Sequence, residues 1–379
     1  MSRPAGVGVI PQTVQGDAPS VPDDHLPEAV EAELVTYLAG RAADAAAIDP
    51  VFAEAGQALT GFVTSGGKRL RPTFAWWGWR GAGGHPEAPE AAAVVRAISA
   101  LELIQACALI HDDLMDASAT RRGRATVHVD FARRHVDAGW RGSPARFGAA
   151  AAILLGDLAL AWADDMLRSA ELSPAAMHRA RVPWEAMRTE VLGGQFLDVM
   201  YQASGDSSAR AALQIDRFKT AAYTVERPLH LGAALAGADP ELVAAYRRFG
   251  ADIGVAFQLR DDLLGVFGDP AVTGKPAGDD LREGKRTLLL AIALQRATEL
   301  GRGEAVVAIE RAIGDPDLDG DGVDRVRGMI LDLGAHEEVE RRITALTGSA
   351  LDALATARIT EAARAALVGL ADTATRRQS

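Results

Sequence analysis

The pattern of apolar and polar residues along this chain predicts helices almost throughout. From Leu26 onward, Ala, Leu, Arg and Glu dominate, runs of β-branched residues are scarce, and no strand-like alternation persists. These residue types favour the α-helix, and apolar residues that recur every three or four positions form the buried stripe of such a helix. We therefore predict an all-α protein.

Two of the predicted helices share a layout. One runs from about Glu90 to Met115 and the other from about Tyr246 to Leu264, and each has Asp-Asp-Leu near its C-terminal end. The apolar stripe of the first helix comprises Val94, Ile98, Leu101, Ile104 and Ala108. Because each helix must bury its stripe, we expect the two helix ends to present their carboxylates to one cavity.

Glycine- and proline-rich breaks separate the helix-length segments. They fall at residues 64–67, 81–89, 139–144, 204–208, 237–240, 268–284 and 314–322. No short repeat and no low-complexity linker follow residue 30, so we predict a single all-α domain over residues 26–375. Residues 1–25 mix Pro, Gly, Ser and Asp without an apolar segment, which predicts a disordered N-terminal tail and not a signal peptide.

Composition narrows the range of functions. The chain of 379 residues has a formal net charge of -11, which argues against general nucleic-acid binding but leaves room for a small anion held by local cations. One cysteine excludes an intrachain disulfide and favours a reducing compartment. The longest uninterrupted apolar stretches, residues 149–155 and 288–294, fall short of the roughly 18 residues that span a bilayer. We therefore predict a soluble, cytoplasmic protein without a membrane span.

The first acidic segment, residues 112–116 (Asp-Asp-Leu-Met-Asp), is a candidate metal site. Asp112 and Asp116 are four residues apart and lie on one helix face, with Asp113 turned aside. Two stacked carboxylates repel each other unless they share divalent cations, and Mg²⁺ prefers one or two carboxylates together with phosphate oxygens and water. A solvated acidic helix end is the alternative interpretation.

Basic residues near this segment indicate a phosphate ligand. Arg121 and Arg122 follow it, and the turn at residues 66–72 (Gly-Gly-Lys-Arg-Leu-Arg-Pro) places three cations behind two glycines at a predicted helix start. Guanidinium groups donate paired hydrogen bonds to phosphate oxygens, and glycine lets the backbone approach an anion closely. The turn lacks the P-loop spacing Gly-x-x-x-x-Gly-Lys-Ser/Thr. Carboxylates with neighbouring arginines therefore predict a Mg²⁺-diphosphate site.

The second acidic segment, residues 261–265 (Asp-Asp-Leu-Leu-Gly), precedes a long loop that ends near Thr287. Acids, glycines and lysines alternate in this loop. Such a composition fits a lid that closes over phosphates and metal.

Five ordered motifs resemble those of the trans-isoprenyl diphosphate synthases, the polyprenyl synthetase family, and most closely the bacterial geranylgeranyl diphosphate synthases. They are the turn at residues 66–72, the first acidic segment with Arg121-Arg122-Gly123, Gly194-Gln195-Phe196-Leu197-Asp198, Lys219-Thr220, and the block from Gln258 to Thr287. The resemblance covers about residues 30–300. It implies an isoprenoid synthase-type helical bundle with a central cavity, a homodimer, and small isoprenoid diphosphates as partners.

The resemblance implies a Mg²⁺-dependent head-to-tail (1'-4) condensation of isopentenyl diphosphate with an allylic diphosphate, which releases diphosphate. The barrier to ionising the allylic carbon–oxygen bond is electrostatic, and divalent ions and arginines stabilise the charge that builds on the leaving group. No protein nucleophile is needed, so neither Cys107 nor a histidine has to act in catalysis.

The resemblance also implies roles for individual residues. Three Mg²⁺ per site would bind Asp112, Asp116, Asp261 and Asp262. The implied catalytic residues are Asp112, Asp116, Asp261, Lys219 and Arg121. Isopentenyl diphosphate would bind Lys68, Arg71, Gln105 and Arg122, with Arg69 as a helper. The allylic diphosphate would bind Arg121, Lys219, Thr220, Gln258, Lys275 and Lys285, which Gln195 and Asp198 would help to orient.

One position departs from the family pattern. Gly265 stands where many members carry a third aspartate. We expect activity to survive with weaker metal affinity, because the third Mg²⁺ would rest mainly on Asp261. Asp262 and Asp269 are the substitutes that we consider, each acting through water.

Product length is expected to depend on the helix wall behind Asp112, along which a growing hydrocarbon tail would run. Cys107 and Ala108 are small, at positions where family members that stop at fifteen carbons commonly carry aromatic residues. Ile104 and Leu101 lie further along the same face and could close the cavity again. We predict the C20 product, geranylgeranyl diphosphate, with farnesyl or longer polyprenyl diphosphates as alternatives.

Three other interpretations compete. A class I terpene cyclase shares the Asp-rich helix but holds a single diphosphate and would not need the second set of cations. A non-catalytic partner subunit usually loses its acidic motifs, and only Gly265 points that way. Calcium binding at residues 315–321 is disfavoured, because Val326 stands at the twelfth position, where an EF-hand loop carries a bidentate Glu.

Overall fold

Helices make up nearly all of the regular structure in the computed structural model, which describes residues 23–268 and 278–376. The first eight are α1 (Leu26–Ile48), α2 (Pro50–Val63), α3 (Leu70–Gly81), α4 (Ala91–Met115), α5 (Val127–Asp137), α6 (Pro144–Arg168), α7 (Pro174–Ser204) and α8 (Ala209–Ile215). There follow a π-helix (Asp216–Glu226), α9 (Arg227–Ala236), α10 (Pro240–Phe267), α11 (Asp279–Arg282), α12 (Leu288–Glu299), α13 (Gly303–Ala312), α14 (Gly320–Asp332), α15 (Ala335–Ala355) and α16 (Glu361–Thr375). The predicted all-α fold is confirmed.

Local sequence signals set many of the helix ends. The side chains of Ser173 and Asp239 accept hydrogen bonds from backbone N–H groups in the first turns of α7 and α10, and a proline follows each cap. Gly205 and Gly237 end α7 and α9 with φ of 71° and 77°, a left-handed conformation that glycine adopts without a steric penalty. The ends at Gly205, Gly237 and Asp239 coincide with predicted breaks, and the one at Ser173 does not.

Several chain reversals were not predicted from the sequence, including those at residue 49 and at residues 300–302 and 333–334. Two others lie at residues 169–173 and 356–360, and neither contains glycine or proline, although Pro174 follows the first. In the first of them Glu171 itself adopts a left-handed φ of 57°. Neither glycine nor proline therefore marks the ends of α6 and α15.

A short hairpin between α4 and α5 is the one strand pairing in the part of the chain that the structure describes. Thr120 pairs with Ala125 and Arg121 with Arg124 in antiparallel register. The two turn residues, Arg122 and Gly123, both have positive φ, as a type I′ turn requires. The hairpin matters because it carries two of the predicted arginines.

The helix with the first acidic segment, α4, is the central element of the main hydrophobic core. It packs on α6, α3 and α1, and side chains such as Ile98, Leu101 and Leu103 are fully buried around it. The predicted bounds, Glu90 to Met115, agree with the observed helix to within one residue. Helix α10, with the second acidic segment, packs on the π-helix and α15.

The N-terminal residues that the structure describes are attached to this core. Asp23–His25 form a 3₁₀ turn. Asp23 accepts hydrogen bonds from Trp76 Nε1 at 2.8 Å and from Arg80 Nε at 2.9 Å. Residues 1–22 of the predicted tail lie outside the described residues. Trp76 and Trp79 are buried in the core.

Among the described residues, two helices, α4 and α6, are long and apolar enough to cross a membrane by length and composition. In α4, 72% of the apolar window is buried inside the protein, so its hydropathy is that of a core helix. In α6 the buried share is 39%, and Ile153 and Leu154 are exposed. Two such helices are weak evidence for a membrane span.

Candidate active site

A cavity of about 680 Å³ lies between the two acidic segments, where the sequence predicted one. The predicted site residues that line it are Lys68, Arg71, Ala108, Asp112, Arg121, Gln195, Asp198, Lys219, Thr220, Gln258, Asp261, Asp262 and Lys285. Carboxylates from α4 and α10 and cations from four parts of the chain therefore face one space.

Some predicted residues do not line the cavity. They are Arg69, Leu101, Ile104, Gln105, Cys107, Asp116 and Arg122. Lys275 and Asp269 fall within residues 269–277, outside the described residues. Of the proposed chain-length residues only Ala108 reaches the cavity surface, because Leu101 and Ile104 are buried in the main core and Cys107 Sγ is 3.8 Å from His111 Nδ1. The influence of these residues on product length stays a prediction.

Lys219 is held between two carboxylates. Its Nζ donates to Asp112 Oδ1 at 2.8 Å and to Asp198 Oδ2 at 2.5 Å. Burial alone would raise the pKa of Asp112, but Lys219, with Lys285 and Arg121, brings it below its ordinary value. Burial would lower the pKa of Lys219, and the neighbouring carboxylates outweigh this and raise it. The pair is therefore an ammonium and a carboxylate at neutral pH.

Asp116 titrates differently from Asp112. Burial and the negative charge of Asp112 raise the pKa of Asp116 to about 6. A carboxyl with this pKa is partly protonated just below neutral pH, and a divalent cation would favour its ionised form. Asp112 and Asp116 therefore repel each other, as expected for two carboxylates on one helix face.

Arg121 is oriented by the middle residue of the first acidic segment. Its Nε donates to Asp113 Oδ1 at 2.7 Å, and a second nitrogen lies 3.4 Å from Asp112 Oδ2. Asp113 is almost fully buried. The sequence placed Asp113 aside from the metal face but gave it no role, and the structure shows that it positions the arginine.

The basic turn before α3 divides its cations between two tasks. Arg71 donates to Thr224 Oγ1 at 3.0 Å and stacks over the ring of Tyr223, so its guanidinium stays at the cavity. Arg69 is buried and donates to Glu102 and to Glu31. The guanidinium of Arg69, predicted as a helper for isopentenyl diphosphate, is thus already used in internal ion pairs.

Arg122 lies on the backbone of the same turn. Its Nη1 donates to Gly66 O at 2.6 Å, and a Cβ placed on Gly67 would lie 3.5 Å from this guanidinium. Burial lowers the pKa of Arg122, and the charges of Arg121, Arg69 and Arg71 add to this effect. A cluster of cations at this density is relieved by an anion.

A π-helix places Lys219 and Thr220. Such i→i+5 segments are rare and are frequent at functional sites. A Cβ on Gly194 would lie 2.2 Å from Lys219 N, and a Cβ on Gly254 would lie 2.5 Å from Ala221 Cα. Glycines of α7 and α10 therefore let the backbones approach the π-helix more closely than any side chain would permit.

A hydrogen-bonded chain connects the π-helix to the second acidic segment. Thr220 Oγ1 donates to Gln258 Oε1 at 2.7 Å, and Gln258 Nε2 donates to Asp262 Oδ1 at 2.7 Å. The other oxygen of Asp262, Oδ2, is buried and has no hydrogen-bond partner. Burial raises the pKa of Asp262 to about 8; the bond from Gln258 opposes this, and the charges of Asp280 and Asp261 add to it.

Asp216 is a buried cavity residue that the sequence did not predict. It lies at the start of the π-helix, and its Oδ2 has no hydrogen-bond partner. Burial and the charges of Asp262 and Asp198 raise its pKa well above the ordinary value. The only sequence signal is its position one helical turn before Lys219.

The donor set fits magnesium bound together with a diphosphate. Among the residues described, no group of three His, Cys, Asp or Glu side chains is placed to hold a metal alone. Mg²⁺ typically binds one or two carboxylates and completes its shell with phosphate oxygens and water. Asp112 and Asp261 supply such carboxylates from opposite helices, and the unpartnered Asp262 Oδ2 is an acceptor available to a cation or its water.

Comparison with known proteins gives consistent matches. The polyprenyl synthetase family model matches residues 53–315. A geranylgeranyl pyrophosphate synthase from Corynebacterium glutamicum, solved with isoprenyl diphosphate and magnesium, is 47% identical with a TM-score of 0.90, over 94% of this chain and 100% of that chain. A geranylfarnesyl diphosphate synthase from Aeropyrum pernix is 35% identical over 283 residues, 74% of this chain and 80% of that protein. A geranylgeranyl diphosphate synthase from Mycobacterium tuberculosis is 38% identical over 201 residues, 53% of this chain and 52% of that protein.

Proposed function

The chain belongs to the polyprenyl synthetase family and is a prenyltransferase that elongates isoprenyl diphosphates, and we propose that its main product is the C20 geranylgeranyl diphosphate. The observation that supports a condensation of two diphosphates is the presence of two cation sets at one cavity. Lys68 and Arg71 lie in one set, while Arg121, Lys219 and Lys285 lie in the other. Two sets suit a reaction that holds two diphosphates at once.

The second set would take the allylic diphosphate. Arg121, held by Asp113, presents a fixed fork, and Lys219 and Lys285 add point charges. Negative charge builds on the leaving group as the allylic carbon–oxygen bond breaks, and cations already in place stabilise it without reorganisation. Thr220 and Gln258 would orient these groups through the hydrogen bond that joins them.

The first set would hold isopentenyl diphosphate. Lys68, Arg71 and Arg122 supply the charge, and Gln105 is a further proposed contact on α4. Held there, the double bond of isopentenyl diphosphate attacks the allylic carbon, and a proton is then lost, for which the departing diphosphate is the proposed acceptor. The family gives this attack a head-to-tail (1'-4) course.

Magnesium use is implied by the family and by the related structure solved with magnesium. We propose three ions per site, with Asp112, Asp116 and Asp261 as ligands and Asp262 as a further carboxylate. When bound, these ions neutralise charge on the leaving diphosphate as Lewis acids. The carboxylates of this chain fix where that charge is neutralised.

Product length rests on the wall behind Asp112. Ala108 lines the cavity, so the absence of an aromatic ring there leaves room for a longer tail. The relatives include synthases named for geranylgeranyl, geranylfarnesyl and farnesyl diphosphates, and the 47% identical structure belongs to the first group. We therefore propose C20 as the main product.

A product assay tests this proposal. The purified chain would be incubated with isopentenyl diphosphate and dimethylallyl, geranyl or farnesyl diphosphate, with Mg²⁺ or with excess chelator, and the dephosphorylated products separated by chromatography. We expect mainly geranylgeraniol and no turnover in chelator. Mainly farnesol would refute the C20 proposal. Consumption of an allylic diphosphate without isopentenyl diphosphate would favour a cyclase, and an inactive purified chain would favour a partner subunit.

We also propose a homodimer in the cytoplasm. Helix α7 exposes an apolar stripe at helical spacing, Leu192, Phe196 and Val199, and α6 exposes Ile153 and Leu154. Exposed apolar faces of this kind are typical of protein–protein interfaces, and the family implies that a second copy of the chain packs on this one. Light scattering after gel filtration would detect the dimer, and Phe196→Glu should weaken it. The single buried cysteine is compatible with a reducing compartment.

A further inference from the structure

The space beside Gly265, the fifth residue of the second acidic segment, is filled by the side chain of Asp280. A Cβ placed on Gly265 would lie 1.8 Å from Asp280 Oδ2 and 2.5 Å from Asp280 Cγ. Real Cβ atoms do not approach other atoms this closely. The carboxylate of Asp280 therefore occupies the volume that any side chain at position 265 would need.

Asp280 is held in this place by its own helix. It lies in the first turn of α11, is nine-tenths buried, and lines the same cavity as Gly265. Its Oδ1 accepts a hydrogen bond from Lys285 Nζ at 3.2 Å, while Oδ2 is the atom nearest to Gly265. Leu281 O accepts from Gly314 N at 2.7 Å, which ties the helix to the following part of the bundle.

The position of Gly265 on α10 gives this contact its meaning. Residues three and four apart share one helix face, so position 265 faces the same side as Asp261 and Asp262. The carboxylate of Asp280, which contacts Gly265, therefore lies on the same side of α10 as Asp261 and Asp262. Asp262 Oδ2, which is buried and has no hydrogen-bond partner, belongs to that face as well and is available to a cation or its water.

We propose that Asp280 supplies the third carboxylate of the second acidic segment, and that glycine is required at position 265 to admit it. The carboxylate that the family carries at position 265 is thus supplied by Asp280 of α11. This inference rests on the magnesium-diphosphate chemistry of the proposed function. It adds Asp280 to Asp262 and Asp269, the two substitutes for the missing aspartate that the sequence offered.

If Asp280 supplies this carboxylate, an aspartate at position 265 should weaken the site, whereas the family pattern predicts that it would strengthen it. Gly265→Asp would restore the family's sequence, yet it should harm the site because the new side chain collides with Asp280. Gly265→Ala should have the same effect, since even a methyl group lies within the carboxylate. Asp280→Asn keeps the shape of the side chain and removes its charge.

Magnesium-dependent binding of inorganic diphosphate, followed by calorimetry on the full chain over a series of MgCl₂ concentrations, tests the inference. We expect Asp280→Asn, Gly265→Ala and Gly265→Asp each to raise the half-saturating Mg²⁺ concentration by about 10- to 100-fold, the range found when groups around a metal are removed. The double variant Gly265→Asp with Asp280→Gly moves the carboxylate to position 265 and should recover most of the affinity that Asp280→Gly loses. Recovery would show that Asp280 does more than pair with Lys285, because that ion pair is absent from the double variant.

Gly348→Ala is the matched control, since Gly348 lies within α15 and a Cβ there meets open space. Its half-saturating Mg²⁺ concentration should equal that of the unchanged chain, and circular dichroism would establish that every variant is folded. The inference is overturned if Asp280→Asn changes that concentration less than twofold, if Gly265→Asp binds more tightly than the unchanged chain, or if the double variant does not recover. An unchanged chain that fails to condense isopentenyl diphosphate with any allylic starter would instead refute the proposed function.

Discussion

Gly194 offers the sharpest test of how the fold positions Lys219. A Cβ on Gly194 would lie 2.2 Å from Lys219 N and 2.6 Å from Lys219 Cα, both backbone atoms that cannot rotate away. Ordinary contact begins at 3.4 Å, so Gly194→Ala requires the two backbones to separate by about 1.2 Å (3.4 minus 2.2). That shift would stretch the 2.8 Å contact between Lys219 Nζ and Asp112 Oδ1.

The neighbouring glycine provides a control in the same helix. A Cβ on Gly193 meets nothing within 4 Å. Both substitutions gain about 1 kcal/mol of helix propensity, because alanine loses less backbone freedom than glycine in a helix. Overpacking typically costs about 1–3 kcal/mol, so Gly194→Ala should unfold in urea with a free energy lower than that of Gly193→Ala by about this amount.

The effect on turnover should exceed the effect on stability. A displacement on the order of 1 Å in a catalytic group can lower kcat about 100-fold. We expect this loss in Gly194→Ala with little change in the KM for isopentenyl diphosphate, whose proposed site lies at Lys68 and Arg71. Steady-state kinetics of both variants, with light scattering to check that Gly193→Ala keeps its oligomeric state beside Leu192, would decide. A kcat within about threefold of the Gly193→Ala value would refute the reasoning.

The other predictions concern the first acidic segment and its wall. Ala108→Phe should shorten the main product from C20 to C15 in the chromatographic assay, and an unchanged distribution would show that the cavity floor lies elsewhere. Asp113→Asn removes the charge that positions Arg121 at 2.7 Å, a charge-assisted bond of about 1.5–3 kcal/mol, so kcat/KM for the allylic diphosphate should fall roughly 10- to 100-fold. A loss confined to isopentenyl diphosphate would contradict that role. The raised pKa of Asp116, about 6, means that its contribution to the unfolding free energy of the metal-free chain is present at low pH and is lost as pH rises through about 6. Asp116→Asn cannot ionise, so urea denaturation in chelator should show a smaller decrease in stability between about pH 5 and about pH 7 than the unchanged chain, and an equal decrease would exclude this account.

Much of the fold follows from local patterns in the sequence. The apolar stripe from Val94 to Ala108 predicted α4 to within one residue at its start, because such a stripe reports which face of a helix is buried. Capping side chains and glycines likewise marked helix ends such as those at Asp239 and Gly237. The reversals at residues 169–173 and 356–360 contain no glycine or proline to mark the end of the preceding helix, and they were missed.

Sequence motifs predicted most residues of the candidate site. Tertiary contacts changed the role of one of them and added another residue. Asp112, Lys219 and Asp261 reach the cavity because motif spacing on a helix fixes the face that a side chain occupies. Arg69 kept its place in the motif, but its guanidinium is used by Glu102 and Glu31. No spacing rule identifies Asp216, because a buried carboxyl looks like any polar residue until its neighbours are known.

The sequence by itself determined the helical class and the position of both acidic segments, because each of these depends on residues close together in the chain. The cations around them come from distant parts of the chain, and it was the resemblance to the family that assigned their roles. Only the tertiary structure decided which atoms share a volume. Asp280 fills the space beside Gly265, and Gly194 admits the backbone of Lys219, across gaps of sequence that no periodicity connects. Close packing is a property of elements brought together from distant parts of the chain, so a glycine that looks like a lost carboxylate in the sequence becomes, in the folded protein, the place where another carboxylate fits.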